Sequence, residues 1–317
     1  AQADGTGWMA LFTLNMLSIA IELGEDKEAA EFLEHFTKIR RALLLLWDDE
    51  TQFFYDLLYT PEGGRMLIKV RSLVGLVPLS AAALLDAEAI DGLPRLKEGL
   101  EALQQDDGDF QVNENGCYLL AALPMDKLTA LLKPLFDAKE FYSPHGVRSL
   151  SKYHEKNPVS YKIGDKTFEL NYDPGESSKK LFGGNSNWRG PIWSPLNQVI
   201  IEALYYYHEY FGGRFKVSGS KWTLEQAAQD LCSRLVGLFR KDKNGHRPMY
   251  GTNAYFQNDP HWKNYLWFYE HFHAEKGEGL GASHQNGWTA LIAKMIQNEG
   301  RAVFIPKSPK RSQGVKA

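Results

Sequence analysis

The chain has very little cysteine: only Cys117 and Cys232 occur among its 317 residues. Two cysteines cannot build a disulfide framework, and their spacing fits no zinc site, so we expect both to be small buried hydrophobic residues. A large net charge is also missing, since 36 basic and 39 acidic residues leave a formal net charge of −3. This balance argues against a broad nucleic-acid-binding surface.

Long uninterrupted apolar runs are absent as well. The most apolar segment is residues 8–23, and it is interrupted by Thr13, Asn15, Ser18 and Glu22. A membrane span needs about 18 or more consecutive apolar residues, so we expect no membrane partner. The chain begins without an initiator methionine or a signal peptide and enters a helix almost at once. We therefore expect a cytoplasmic location and read the sequence as part of a longer protein.

Two kinds of helical pattern alternate along the chain. Four segments are apolar on nearly all sides, which is typical of helices buried all round. These are residues 8–23, 73–85, 192–207 and 287–296. Three others carry one apolar and one charged face, which predicts half-exposed helices. These are residues 26–46, 94–104 and 224–240. Alternating inner and outer antiparallel helices predict an all-α fold, an (α/α)6 toroid or barrel, to be completed at its N-terminus by a missing part of the same protein.

Short β-hairpins interrupt the helical pattern. Residues 52–59 and 65–70 flank a Pro-Glu-Gly-Gly turn, and residues 161–170 turn at Gly164 and Asp165. Both arrangements are typical of hairpins. Because the sequence contains no domain linker, residues 1–305 are predicted to form one domain. The basic segment 306–317 is predicted to be a disordered tail.

Aromatic and polar side chains are concentrated in two loops that lead into apolar helices. Residues 183–193, Gly-Gly-Asn-Ser-Asn-Trp-Arg-Gly-Pro-Ile-Trp, place two tryptophans beside an arginine and amides. Residues 283–288, Ser-His-Gln-Asn-Gly-Trp, form the second cluster. A sugar ring has an apolar C–H face and a rim of hydroxyl groups, so stacking surfaces beside planar hydrogen-bonding groups suit it. The two loops therefore predict a carbohydrate partner.

Four polar motifs precede the four inner helices. They are Asp4-Gly5-Thr6, Arg71-Ser72, Asn187-Trp188-Arg189 and His284-Gln285-Asn286. If all inner helices run in the same direction, these motifs converge at one mouth of the barrel. The sequence therefore predicts a binding site at that mouth.

Hydrolysis of a glycosidic bond needs two carboxyl groups, one acting as acid and the other as base or nucleophile. The candidates near the predicted mouth are Asp4, Asp173, Glu176, Glu270, Glu275 and Glu278. Glu270 lies among aromatic residues, whereas Glu275 and Glu278 lie in a Lys/Gly-containing turn and are expected to be solvated. Asp4 has the alternative role of a helix cap.

Several segments resemble glycoside hydrolase family 63, whose members include processing α-glucosidase I and microbial enzymes acting on mannosylglycerate or glucosylglycerate. The most specific segment is FGGNSNWRGPIW at 182–193, and GEGLGASHQNGW at 277–288 supports it. AQADGTGWMA, VRSLVGLVPL, GVRSLSKYH and YDPGES also fit, so the resemblance covers nearly the whole chain. It implies the C-terminal portion of an (α/α)6-barrel catalytic domain that hydrolyses an α-glycosidic bond with inversion and without a cofactor or metal.

The resemblance also implies roles for individual residues. Glu270 matches the family's general base, which activates a water molecule. The family's general acid is an aspartate in a Gly-Leu-Asp motif that this chain does not contain, so either it lies upstream or Asp4 is closer to that role. The expected substrate-binding residues are Arg71, Tyr172, Glu176, Asn187, Trp188, Arg189, Trp193, His284, Gln285 and Trp288.

Two other function classes stay open on the sequence. One is a sugar-binding fragment without turnover. The other is a different α/α-barrel enzyme, such as a trehalase-like hydrolase or a sugar epimerase. An epimerase would use histidines as acid and base, and the candidates are His145, His154, His271, His273 and His284.

Overall fold

A computed structural model describes residues 1–59, 63–106, 110, 112–178, 190–217 and 220–299. Asn187, Trp188 and Arg189, part of the first predicted hairpin turn and the 306–317 tail lie outside the described residues. The helices are α1 (Ala3–Leu23), α2 (Asp26–Leu44), α3 (Val77–Ser80), α4 (Ala87–Ile90), α5 (Pro94–Asp106), α6 (Met125–Leu135), α7 (Ser194–Phe211), α8 (Leu224–Gly237), α9 (Ala254–Asn258), α10 (Asn286–Thr289) and α11 (Ile292–Asn298).

The strands pair as short antiparallel hairpins. They are β1 (Trp47–Asp48) with β2 (Phe53–Phe54), β3 (Asp56–Tyr59) with β4 (Arg65–Ile68), β5 (Ala82–Asp86) with β6 (Cys117–Ala121), β7 (Tyr142–Ser143) with β8 (Gly146–Val147), β9 (Val159–Ile163) with β10 (Lys166–Leu170), and β11 (His271–Phe272) with β12 (Gly279–Leu280). The β3–β4 and β9–β10 hairpins confirm the two predicted from the sequence.

The first helical hairpin is closed by a glycine. Gly24 has φ of 75°, and its N–H bonds to the carbonyl groups of Ala20 and Ile21, which ends α1 and lets α2 start at Asp26. The buried residues of α2 form one stripe, so the predicted half-exposed helix is confirmed. The same holds for α8, where Thr223 and Gln226 form a capping box at the N-terminus.

Most contacts between the helices follow the predicted alternation of inner and outer helices. The inner helices α1, α3, α7 and α10 contact one another in succession. On the outer side, α2 contacts α5. The outer helix α8 contacts α11, which forms the second part of the predicted inner segment 287–296. The protein is therefore mostly helical with short hairpin insertions, and its helices pair as inner and outer layers.

Residues 73–85 do not form the predicted inner helix. Leu73–Gly75 form a 3₁₀ turn, α3 is a single helical turn, and β5 follows it directly. The helix ends because Ala81 leaves the helical region with ψ of 76°, after which β5 pairs with β6. The segment is buried on all sides, and an apolar run of this kind lacks the periodicity that distinguishes a helix from a strand.

The prediction that α1 is buried all round is also wrong. Its buried side faces α2 and α3, whereas Met9, Phe12 and Ile19 on the other side are each about half exposed. By length and apolar composition alone, α1 is a helix that could cross a membrane, and the core helix of a soluble protein passes the same test. The predicted helix 287–296 is divided into α10 and α11, and Trp288 and Ile296 are exposed.

Candidate active site

Single-residue backbone bridges join the segments that precede three inner helices. The bridges pair Ser72 with Leu150, Arg148 with Ile192, Ile192 with Phe272, and Phe268 with His284. Ile192 and Phe272 exchange two N–H···O bonds of 2.8 and 2.9 Å. The segments that lead into α3, α7 and α10 therefore lie side by side at one end of the helices. This confirms the predicted convergence for Arg71-Ser72 and His284-Gln285-Asn286, whereas Asn187-Trp188-Arg189 lies outside the described residues.

Glu270 lies immediately before β11 and is held by the backbone. Its N–H donates to Ala282 O at 2.8 Å, and the Ala282 N–H donates to Glu270 Oε2 at 3.2 Å. Gly281, with φ of 70°, lies against this carboxylate: a Cβ atom there would stand 2.5 Å from Oε2 of Glu270 and 2.9 Å from Cε1 of His271. The backbone of Gly281 therefore packs so closely against both groups that residue 281 cannot carry a side chain without displacing them.

Aromatic rings surround His271, the residue after Glu270. Its imidazole stacks on the indole of Trp193 with centroids 4.8 Å apart, and the rings of Trp193 and Trp288 are 5.6 Å apart. Trp193 is buried, whereas Trp288 keeps 38% of its surface exposed. Of these two tryptophans, Trp288 therefore presents a ring to solvent.

A buried ion-pair network lies behind the β11–β12 hairpin, and we call it the Arg148 cluster: Arg148, Lys152, Tyr172 and Glu275. Arg148 Nε donates to Glu275 Oε1 at 2.9 Å, and the Tyr172 hydroxyl donates to the same oxygen at 2.7 Å. Lys152 Nζ lies 3.5 Å from it. Although burial works to raise the pKa of Glu275, the hydrogen bond from Tyr172 and the charge of Arg148 hold that pKa below its usual range.

The expectation that Glu275 is solvated is therefore wrong, because its carboxylate binds the cluster. Glu278 is also partly buried, and its side chain packs against Gly251. The hydroxyl of Tyr172, a predicted substrate contact, is engaged with Arg148 and Glu275. Burial and the hydrogen bond to Glu275 raise the pKa of that hydroxyl.

Arg71 lies at the predicted end of the helices, and its guanidinium binds Glu140. Nε donates to Oε2 at 3.2 Å, and the charged groups pair at 3.2 Å. Its backbone N–H donates to Nε2 of His154 at 2.9 Å, while Nδ1 of His154 bonds with Asn157 O at 2.9 Å. His154 is thus a structural histidine with both ring nitrogens bonded.

Asp4 is not the cap of α1. The N-cap is Gln2, without a side-chain bond, and Asp4 lies in the first turn, where its Oδ1 accepts the Gly5 N–H at 2.6 Å. A carboxylate not predicted from the sequence, Asp56, lies beside the first turn of α1, where its Oδ1 accepts the Ala3 N–H at 2.7 Å. Burial, together with the nearby charge of Asp4, raises the pKa of Asp56. The sequence carries no signal for the contact between Asp56 and Ala3, because the two residues are 53 positions apart.

The remaining predicted residues lie on both sides of the β11–β12 hairpin. The Pro174 carbonyl accepts the Ala274 N–H at 2.7 Å, which brings Glu176 Oε1 to 3.7 Å from Nε2 of His271. The Asp173 carboxylate is engaged locally with Asn171 and Ser178. On the other side, the Gln285 N–H donates to Phe268 O, and His284 is exposed with its ring edge-on to Trp267.

The described residues contain neither a cluster suited to a metal ion nor a disulfide. Among the residues that the structure describes, no group of three or more His, Cys, Asp or Glu side chains could hold a metal ion. Cys232 is buried, as expected, and Cys117 is partly buried; neither forms a disulfide.

The helical layers and the converging loops define a domain of helical hairpins. At one end of the helices it carries the carboxylate of Glu270 and the indole rings of Trp193 and Trp288. The model of the glycosyl hydrolase family 63 C-terminal domain matches residues 1–241. The chain belongs to glycoside hydrolase family 63. Glu270 lies beyond the matched residues.

Relatives extend the similarity along nearly the whole chain. It is 38% identical over 347 residues to the uncharacterized protein YMR196W of Saccharomyces cerevisiae, covering 97% of this chain and 32% of that protein. It is 24% identical to a probable mannosyl-oligosaccharide glucosidase of Schizosaccharomyces pombe, covering 92% of this chain and 26% of that protein. The chain thus spans a third or less of these relatives.

A solved structure supports the fold. An uncharacterized conserved protein from Thermus thermophilus aligns with a TM-score of 0.50 at 15% identity, covering 93% of this chain and 48% of that one. At this identity the likeness concerns the fold alone.

Proposed function

We propose that the chain is the C-terminal part of the catalytic domain of an inverting α-glycosidase. The bond cleaved is that of an α-glucoside or a related oligosaccharide or glycosylglycerate. The observation that carries the proposal is the position of Glu270, whose carboxylate is oriented by the Ala282 N–H at the end of the helices where the loops converge. Membership of a glycosidase family supports it.

Glu270 acts as the general base in this proposal. It takes a proton from a water molecule while that water attacks the anomeric carbon, on the face opposite the departing group. The bond from Ala282 holds Oε2, which leaves Oε1 for the water. Trp288 supplies the exposed ring against which the apolar face of a sugar packs.

The general acid is an aspartate of the same protein outside this chain, with Asp4 as the alternative within it. The acid protonates the glycosidic oxygen, and in an inverting enzyme its carboxyl group stands roughly 6.5–9.5 Å from that of the base. Asn187, Trp188 and Arg189 stay predicted substrate contacts, together with Arg71, Glu176, His284 and Gln285.

The test uses the full-length protein with α-glucosyl fluoride. We expect hydrolysis that releases β-glucose first, as followed by NMR of the new anomer, because attack from the opposite face inverts the carbon. Glu270→Gln should lower kcat by about 10²–10⁴-fold, since general-base assistance is lost while the shape of the side chain is kept. KM should change little.

Glu278→Gln is the matched control, because it makes the same chemical change in the same hairpin. It should retain most of the activity. Full activity of Glu270→Gln, or release of α-glucose first, would contradict the proposal. Sugar binding without hydrolysis would favour the non-catalytic alternative, and interconversion of free sugars would favour an epimerase.

A further inference from the structure

His271 is a buried histidine whose ring nitrogens lack hydrogen-bond partners. The side chain is 1% exposed, and neither Nδ1 nor Nε2 bonds to any group among the described residues. Buried polar atoms are nearly always paired, so each exception calls for an explanation such as a bound water or ligand. In contrast, His154 is equally buried, and both of its nitrogens are bonded.

Three residues lie close to the imidazole of His271: Trp193, Glu176 and Gly281. Trp193 stacks on the ring. The Glu176 carboxylate lies 3.7 Å from Nε2, which is too far for a hydrogen bond but close enough for both groups to contact one small polar group. The position of a missing Cβ at Gly281 lies close to both the imidazole and the Glu270 carboxylate.

We propose that His271 and Glu176 together bind one hydroxyl group of the sugar held beside Glu270. A hydroxyl group both accepts and donates, so it accepts from the Nε2–H of His271 and donates to the Glu176 carboxylate. This assignment rests on the proposed glycosidase function and adds to it a residue pair that recognises a particular hydroxyl.

The chemistry of the pair supports a neutral imidazole. Burial lowers the pKa of His271, against the charges of Glu176 and Glu270, which act to raise it. A neutral ring with its proton on Nε2 keeps the donor needed for the hydroxyl. Discrimination at this position is strong, since a sugar lacking the hydroxyl leaves the buried imidazole of His271 unpaired.

The experiment measures binding without turnover. Full-length protein carrying Glu270→Gln is titrated with methyl α-D-glucopyranoside and its monodeoxy analogues by calorimetry. We expect one analogue to bind about 10- to 100-fold more weakly than the parent, the range typical of a lost bond to a charged group. Adding His271→Phe, which keeps a ring against Trp193, should weaken the parent to the level of that analogue and abolish the difference. His271→Gln, which keeps a donor, should restore part of it.

His154→Phe is the matched control, also in the Glu270→Gln background. It should lower the melting temperature, because it leaves the Arg71 N–H and the Asn157 carbonyl unpaired, and it should keep the analogue preference. His271→Phe should not lower the melting temperature. A preference that survives His271→Phe, or no preference in the parent protein, overturns the inference. If α-glucosyl fluoride is still hydrolysed with inversion, only this inference fails and the proposed function stands.

Discussion

The Arg148 cluster and the Glu270–His271 pair both contact the β11–β12 hairpin, and they differ in how completely their polar groups are paired. Arg148 is 2% exposed and donates to Glu275, Tyr172 and three carbonyl oxygens. His271 is equally buried and bonds to none of the described residues. Stable proteins pair their buried polar groups, and exceptions concentrate where a ligand binds. The difference separates a cluster that supports the hairpin from a buried histidine for which we proposed a sugar hydroxyl as the partner.

Removing the centre of the paired cluster should have the largest effect on stability. Arg148→Met removes the buried cation beside Glu275 and the donor to three carbonyl oxygens, although Tyr172 still donates to Glu275. We therefore expect a loss of about 3 kcal/mol in the free energy of unfolding. Denaturant titration measures it. Arg240→Met, which breaks the more exposed pair with Glu299, should cost less than about 1 kcal/mol. Equal losses in the two variants would show that Arg148 carries no special weight.

A side chain at Gly281 should displace the Glu270–His271 pair. Gly281→Ala places Cβ against Oε2 of Glu270 and Cε1 of His271, so we expect about 100-fold lower kcat with α-glucosyl fluoride, as is typical of a displaced catalytic group. Gly116→Ala is the control, because Gly116 has φ of 75° and no atom within 4 Å of the added Cβ. Both variants should share the backbone cost of about 1–2 kcal/mol, and normal kcat in both would contradict the assignment.

Acid should destabilise the protein through its buried histidines, with a smaller effect. Burial lowers the pKa of His154 from 6.5, although the Asn157 carbonyl and Glu140 act to raise it. The unfolded chain therefore binds more protons, so stability is full above the unfolded pKa and falls as the pH drops below it. Each unit of pKa difference is worth about 1.4 kcal/mol. The slope of unfolding free energy between pH 7 and pH 5 should be shallower in His154→Phe, and an unchanged slope would refute the point.

Sequence periodicity was sufficient to predict the type of secondary structure where one face of a helix or strand is exposed to solvent. The stripe on α2 and the alternating residues of β9–β10 each define their own structure, because exposure leaves a regular pattern. Periodicity failed at residues 73–85, where burial on all sides removes that pattern and pairing of β5 with a distant strand decides the outcome. The prediction that α1 is buried on all sides failed because apolar composition does not specify which faces of a helix pack against other elements.

The site was predictable to the level of segments. Loops before inner helices converge for topological reasons, so the proximity of Trp193 and Trp288 followed from helix direction. The partners of Glu275 did not, because Arg148 and Tyr172 are more than a hundred residues away in sequence. Asp56 was missed for the same reason: its bond to Ala3 spans 53 positions.

The single-residue bridges that join the loops have a consequence for protein engineering. Each bridge fixes the alignment of two segments through backbone hydrogen bonds, so the positions of these loops depend on main-chain atoms. A loop can therefore be exchanged between relatives as a cassette, provided that the bridge residues keep their place. Ile192 should not be exchanged, because it bridges both Arg148 and Phe272. An exchanged segment should therefore begin after Ile192.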